Sequence, residues 1–215
     1  PRTAALLNDG LYDHGIHVVA AKPIVVYSFI YVNNISGATL CLPTSTLGRT
    51  YYSINYNQIS NEAASSYSYF FVIATDTGRT TVQITPTQPT AGGRPAGTAF
   101  TVNLNQGQIY QVLAQNDLSG SEIVSVNNGS GCKKIAVYSG AGKISIGCVG
   151  AGSSDNLYQQ MYPTSTWGKT YITTPSVNLV AGGVTGQYNY YRIFKSNPNA
   201  NVYRNGVLIP AGQFV

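Results

Sequence analysis

Charge is scarce in this chain. Asp, Glu, Lys and Arg make up 9% of its 215 residues, against about a quarter in ordinary globular domains. The basic residues are scattered, Lys133-Lys134 being the only adjacent pair, so the net charge of +5 does not gather into the stripe that nucleic-acid binding requires. Long apolar runs are missing as well. No stretch approaches the ~18 residues of a membrane helix, and no secretory signal opens the chain. Pro1-Arg2-Thr3-Ala4-Ala5 reads as the start of a fragment or a processed chain. No window shows an apolar stripe at helical spacing with caps, which excludes a helical fold.

Cysteine is nearly absent: Cys41, Cys132 and Cys148 are all there is. A chain this long buries roughly 70% of its unfolded surface and needs no cross-links to hold a core. Cys132 and Cys148 bracket an apolar strand and close a loop of 148 − 132 = 16 residues. If oxidised, that loop stabilises by about 3 kcal/mol in the chain-entropy model. Cys41, inside Ala38-Thr39-Leu40-Cys41-Leu42, reads as a buried free thiol. Pairing of Cys41 with one of the other two is the alternative.

Tyrosine (17) and glycine (23) are abundant instead. Disordered chains are poor in aromatics, so this chain folds. Tyr, Thr, Ser and Asn replace Lys and Glu on its surface, a composition that suits an extracellular all-β module.

One segment occurs twice. Leu42-Pro43-Thr44-Ser45-Thr46-Leu47-Gly48-Arg49-Thr50-Tyr51 returns as Tyr162-Pro163-Thr164-Ser165-Thr166-Trp167-Gly168-Lys169-Thr170-Tyr171, at an offset of 162 − 42 = 120. The echo continues on both sides. Lys22-Pro23-Ile24-Val25-Val26-Tyr27-Ser28 is answered by Lys133-Lys134-Ile135-Ala136-Val137-Tyr138-Ser139, at 133 − 22 = 111. Tyr69–Ala74 is answered by Asn189–Phe194, 120 residues on, and Leu104–Tyr110 by Ile209–Val215, at 209 − 104 = 105. Changing offsets mean that loops differ in length while strands keep their order. The second copy stops with a strand still to come, so the chain reads as cut from something longer.

Ile16–Ala20, Ile24–Val32, Thr39–Leu42, Thr50–Tyr56, Tyr69–Thr75, Thr80–Thr85, Phe100–Leu104 and Gln108–Ala114 carry strand composition. Turn chemistry separates them at Asn33-Asn34, Thr77-Gly78-Arg79 and Asn105-Gln106-Gly107. The expected fold is all-β: a duplicated antiparallel β-sandwich-like repeat of about eight strands per copy. The meander Tyr69–Ala114 leaves β-propeller-like blades as the alternative. Residues 1–117 form the first repeat and 118–215 the second, with Asp117-Leu118-Ser119-Gly120 at the seam. Gln88–Gly97 is a surface loop.

Candidate chemistry is thin. Asp76-Thr77-Gly78 resembles one half of an aspartic protease dyad, which needs two carboxylates sharing a proton. The matching place in the second copy, Ser196-Asn197-Pro198-Asn199, has none, so the triplet reads as a hairpin turn. Asp9, Asp13, His14 and His17 include both histidines and could hold zinc, but His17 in a strand reads as an ordinary half-buried residue. Without a Gly-x-Ser-x-Gly elbow a serine hydrolase has no support. Gly140-Ala141-Gly142-Lys143 lacks the spacing of a phosphate loop and reads as a β-turn. No catalytic residue, cofactor or metal is expected. Tyr56, Tyr67, Tyr188 and Tyr190 are the candidate ligand surface, because flat aromatics offer large area at low entropy cost. Trp167 reads as core packing, as Leu47 would be in the first copy.

Several segments resemble one family. Gly15-Ile16-His17-Val18 with Lys22–Tyr27, both Pro-Thr-Ser-Thr-x-Gly motifs, Asp117–Gly120, Ala136–Gly140 and Ser154-Asp155-Asn156-Leu157-Tyr158-Gln159-Gln160 together resemble the N-terminal domain family of the IgGFc-binding protein. The bacterial form, found in surface proteins of Bacteroidetes, fits best. Cys132 before its strand and Cys148 after it are similar to the bacterial pattern. The resemblance implies a non-enzymatic β-repeat module of an exported cell-surface protein, located outside the cell, in adhesion or as a spacer. Partners would be other surface proteins or glycans. A carbohydrate-binding module of a larger secreted enzyme is the alternative.

Overall fold

The computed structural model describes residues 6–32, 35–58, 66–129, 131–145, 154–174 and 191–210. The chain divides into a unit of residues 1–167 and a unit of residues 168–215.

The first unit is an antiparallel sandwich. Its strands are β1 (Gly10–Tyr12), β2 (Val26–Val32), β3 (Ile35–Cys41), β4 (Thr50–Tyr52), β5 (Ser68–Ala74), β6 (Thr80–Thr85), β7 (Phe100–Leu104), β8 (Ile109–Ala114), β9 (Glu122–Val126), β10 (Ile135–Ile144) and β11 (Asp155–Gln160). One sheet has the order β1-β8-β5-β10-β11, the other β4-β9-β6-β7, and β2-β3 pair as a separate hairpin. Alternation at period two decides which side chains enter the core. In β5, Ser68, Phe70, Val72 and Ala74 are buried between half-buried neighbours; in β6, Thr80, Val82 and Ile84 are. Val72, Val82, Ile84, Val112, Ile123, Ile135 and Val137 meet between the two sheets around Phe70 and Tyr51. Such alternation buries one face of each sheet and wets the other.

The sandwich corrects four local expectations. The 69–114 segment is no meander, because β5 pairs with β8 in one sheet and β6 with β7 in the other. Asp76-Thr77-Gly78 therefore turns a corner between layers and closes no hairpin. Gly140–Lys143 lies inside β10. A Cβ at Gly140 would collide with the carbonyl of Leu157 on β11, so strand proximity, not a turn, calls for glycine there. Ile16–Ala20 joins no ladder and is exposed throughout.

Strands β9, β10 and β11 all lie beyond residue 117, yet each pairs within the sheets built from β4 to β8. Segment 53–56 is stitched to them by buried polar groups. The Asn55 amide donates to the carbonyls of Tyr69 (2.7 Å) and Gly140 (2.6 Å), and the Ser139 hydroxyl donates to Ile54 O (3.0 Å).

The 168–215 unit contains a second hairpin, β12 (Val202–Arg204) and β13 (Val207–Ile209). Asn205 (φ 50) and Gly206 (φ 81) make its turn, the two left-handed positions that a two-residue hairpin demands. In the first copy β6 and β7 are joined through the long Gln88–Gly97 loop. The fall of the repeat offset from 120 to 105 across this stretch means that it is shorter in the second copy.

Candidate functional site

The duplicated motif takes one conformation in both copies. Pro43 (φ −58, ψ 145) and Pro163 (φ −65, ψ 149) each lead into a 3-10 turn, Thr44–Thr46 and Thr164–Thr166. The hydroxyls of Thr46 and Thr166 donate to Pro43 O and Pro163 O at 2.9 Å each. Gly48 N–H and Gly168 N–H donate to the hydroxyls of Tyr51 and Tyr171, both at 2.8 Å. Local sequence fixes this clasp: a Pro-set φ, a Thr hydroxyl reaching back three residues, and a glycine followed by tyrosine.

The hairpins match as closely. Tyr138↔Gln160, Ser139↔Gln159, Gly140↔Tyr158 and Ala141↔Leu157 pair across β10–β11. Tyr27↔Leu40, Ser28↔Thr39, Phe29↔Ala38 and Ile30↔Gly37 pair across β2–β3. Two separate offsets, 138 − 27 = 111 and 160 − 40 = 120, carry these four pairs of one hairpin onto the other, up to the register shift that follows Ala141 in β10. β2–β3 is therefore the repeat mate of β10–β11.

Their surroundings differ. β10 is flanked by β5 on one edge and β11 on the other, and its outer face is capped. Tyr138 stacks on Phe71 (5.0 Å) and Tyr158 (5.8 Å), and its hydroxyl meets Cys41 Sγ at 3.6 Å. Burial, then the neighbouring Cys41, pushes the Tyr138 hydroxyl well above its ordinary pKa. Among the described residues β2 pairs with β3 alone. One face of this hairpin rests on β11: Ser28 Oγ lies 2.9 Å from Tyr158 OH, the Gln160 N–H donates to Thr39 Oγ1 (2.9 Å) and the Leu42 N–H donates to Gln160 Oε1 (2.6 Å). The opposite face presents Tyr27 (57% exposed), Phe29 (73%) and Tyr31 (82%) to solvent in a row. A strand edge beside an exposed aromatic row is the kind of surface on which other chains or ligands dock.

The sequence placed its candidate surface elsewhere. Tyr56 and Tyr67 are half-buried beside the sandwich, and Tyr188 and Tyr190 lie outside the described residues. The alternation Tyr27-x-Phe29-x-Tyr31 was the available signal; one face of a half-buried strand accounts for it equally well, so it did not stand out. Trp167 is half-buried, its ring 6.0 Å from Tyr52, whereas Leu47 is buried. Cys41 and Cys132 are both free, half-buried thiols. The structure thus does not support the expected Cys132–Cys148 bridge; Cys148 lies outside the described residues.

The acidic candidates are occupied structurally. Asp76 accepts the Lys134 N–H at 2.9 Å. Asp9 accepts the Leu113 N–H (3.1 Å) and Asp13 the Gln108 amide (2.6 Å), tying the start of the chain to β8. His14 lies against Tyr12, and His17 is exposed rather than half-buried. Among the described residues no three metal-binding side chains converge. Within the described residues, no helix is long and apolar enough to cross a membrane.

A family model described as IgGFc binding protein matches residues 37–215. No curated protein and no solved structure matches the chain.

Proposed function

We propose, for a chain that belongs to the IgGFc binding protein family, the role of a non-enzymatic binding module in an exported bacterial cell-surface protein. The family is one of binding domains, not enzymes, and residues 37–215 fall within its model. In this reading the copied segments, 1–117 and 118–215, are units of ancestry that exchange strands across their join, and the module serves adhesion or spacing outside the cell. The observation that carries it is the outward row Tyr27, Phe29 and Tyr31 on the open strand β2. Flat aromatic side chains hold large area at low entropy cost and suit contact with proteins or sugars.

Beads coated with the chain test the adhesive reading against panels of surface proteins and a glycan array. Adhesion that drops when Phe29 and Tyr31 are replaced by Ser supports it. The same flat row also favours a second reading, a carbohydrate-binding module of a larger secreted enzyme. A specific glycan hit at micromolar strength, lost in the same variant, selects that reading. Absence of any binding to either panel rejects both.

A further inference from the structure

The molecule contains the surface of β2 in an occupied state. On β10 the edge opposite β11 is filled by β5, with Ile135↔Ala74, Ala136↔Ile73, Val137↔Val72 and Tyr138↔Phe71 in register. The Tyr51 hydroxyl completes the contact by donating to Ile135 O at 2.7 Å. Subtracting 111 from the β10 residues gives Ile24, Val25, Val26 and Tyr27 on or beside β2. Adding 120 to the β5 and Tyr51 residues gives Phe194, Ile193, Arg192, Tyr191 and Tyr171, all in the 168–215 unit. Both halves of this contact are exposed. Ile24, Val25 and Tyr27 are 55%, 66% and 57% accessible, and Tyr171, Tyr191 and Ile193 are 70%, 37% and 54%. Of their counterparts, Ile135, Ala136, Tyr138 and Tyr51 are buried, and Phe71 and Ile73 are half-buried.

We infer that the 168–215 unit of one copy adds to the open edge of β2 in a second copy, with the register that β5 takes on β10. Tyr191 then stacks on Tyr27 as Phe71 does on Tyr138, and the Tyr171 hydroxyl donates to Ile24 O. The partner is a second copy of this chain, not a foreign ligand, and this identification rests on the binding-module reading above. Charge favours the same pairing. The 168–215 unit holds Lys169, Arg192, Lys195 and Arg204 with no Asp or Glu, whereas the rest of the chain has 12 − 4 = 8 basic residues against 7 acidic ones. Two basic units repel each other, while a basic unit against the nearly neutral sandwich does not. The contact is head-to-tail, so each copy keeps one free end and association continues into rings or filaments. Strand addition of this kind draws on backbone hydrogen bonds for affinity and on alternate side chains for register.

Sedimentation velocity over a rising concentration series tests the inference. Wild type should form a ladder of species. A Val25→Lys/Tyr27→Ser variant and a Tyr191→Ser/Ile193→Lys variant should each associate at least about tenfold more weakly. Mixed together they should form a dimer and stop there, since each retains the half that the other lacks. All four positions are exposed, and unchanged thermal unfolding checks that the variants fold. In a background of Cys41→Ser, Cys132→Ser and Cys148→Ser, a Tyr27→Cys chain should cross-link to a Tyr191→Cys chain, and neither should cross-link to itself. A wild type that stays monomeric overturns the inference, as does self-cross-linking of Tyr27→Cys or closure within one chain when both cysteines are present. If adhesion persists in a monomeric wild type, the binding-module reading stands and only the second-copy partner fails.

Discussion

The hairpins β10–β11 and β2–β3 share their register over four successive pairs, yet one is core and the other is surface. In β10 the side chains of Ile135, Val137 and Ala141 are fully buried, whereas Ile24 and Val25 at the foot of β2 are more than half exposed. The same contrast holds between Tyr51, with no exposed area, and Tyr171, whose turn geometry is nearly identical. Local chemistry reproduces the turn and the pairing wherever the segment occurs. Burial follows only where β5 and the opposite sheet are present to supply it. A motif can therefore be conformationally complete and energetically idle, and the pair of copies separates the two properties within one molecule.

The sharpest way to break this comparison is to truncate the two tyrosines. Tyr51→Ala should destabilise by about 3–5 kcal/mol, since it opens a core cavity and strands Ile135 O and Gly48 N–H. Tyr171→Ala should stay within about 0.5 kcal/mol at dilutions where the chain is monomeric. Urea unfolding of the two variants reads the difference directly, and equal losses would mean that the copies are energetically alike.

Alkaline titration gives the next largest effect. Burial pushes the Tyr51 hydroxyl up to about 12 from 10, against a smaller lowering by the Gly48 N–H, and burial raises Tyr69 and Tyr138 as well. A phenol whose folded pKa lies above its unfolded value favours the folded state fully below pH 10, and that contribution is lost as pH rises from 10 towards 12. Two units for Tyr51 correspond to roughly 2–3 kcal/mol. Stability measured between pH 9 and 12 should fall by that amount more steeply in wild type than in Tyr51→Phe.

Glycine substitutions sharpen the contrast at the clasp. A Cβ at Gly48 would collide with the Pro163 ring, whereas at Gly168 nothing lies nearer than 3.6 Å. Gly48→Ala should cost about 1–3 kcal/mol through overpacking, and Gly168→Ala should leave the melting temperature unchanged. The smallest effect is expected at Cys132, a free thiol. Cys132→Ser should alter stability by under about 0.5 kcal/mol, with or without reductant. A loss near 3 kcal/mol confined to the oxidised protein would restore the bridge.

Much of the fold was legible in the chain. Thr80–Thr85 and Phe100–Leu104 are strands with the expected bounds, because strict alternation of Val, Ile and Leu with Thr, Gln and Asn specifies both the strand and its buried face. What misled was adjacency. Asp76-Thr77-Gly78 and Asn105-Gln106-Gly107 have hairpin composition, yet each carries the chain from one sheet to the other, since a turn residue sets local φ and not which layer follows. Asn205-Gly206 is a strong short hairpin signal and does close β12–β13, whereas the like pair Asn128-Gly129 closes none of the strand pairings described. The candidate surface was legible only in part. A tally of tyrosines pointed to Tyr56 and Tyr67, which the sandwich half-buries, and gave no means of seeing that β2, among the described residues, pairs with β3 alone.

Composition and spacing alone settled that the chain is all-β, that one segment was copied, and that its clasp would form twice, because each of these depends on residues within a few positions of one another. Which copy became core was decided in three dimensions. Tyr51 and Tyr171 are the same residue in the same turn, and only the arrival of β10 from 84 residues downstream gives one of them a carbonyl to meet and a sheet to lie beneath.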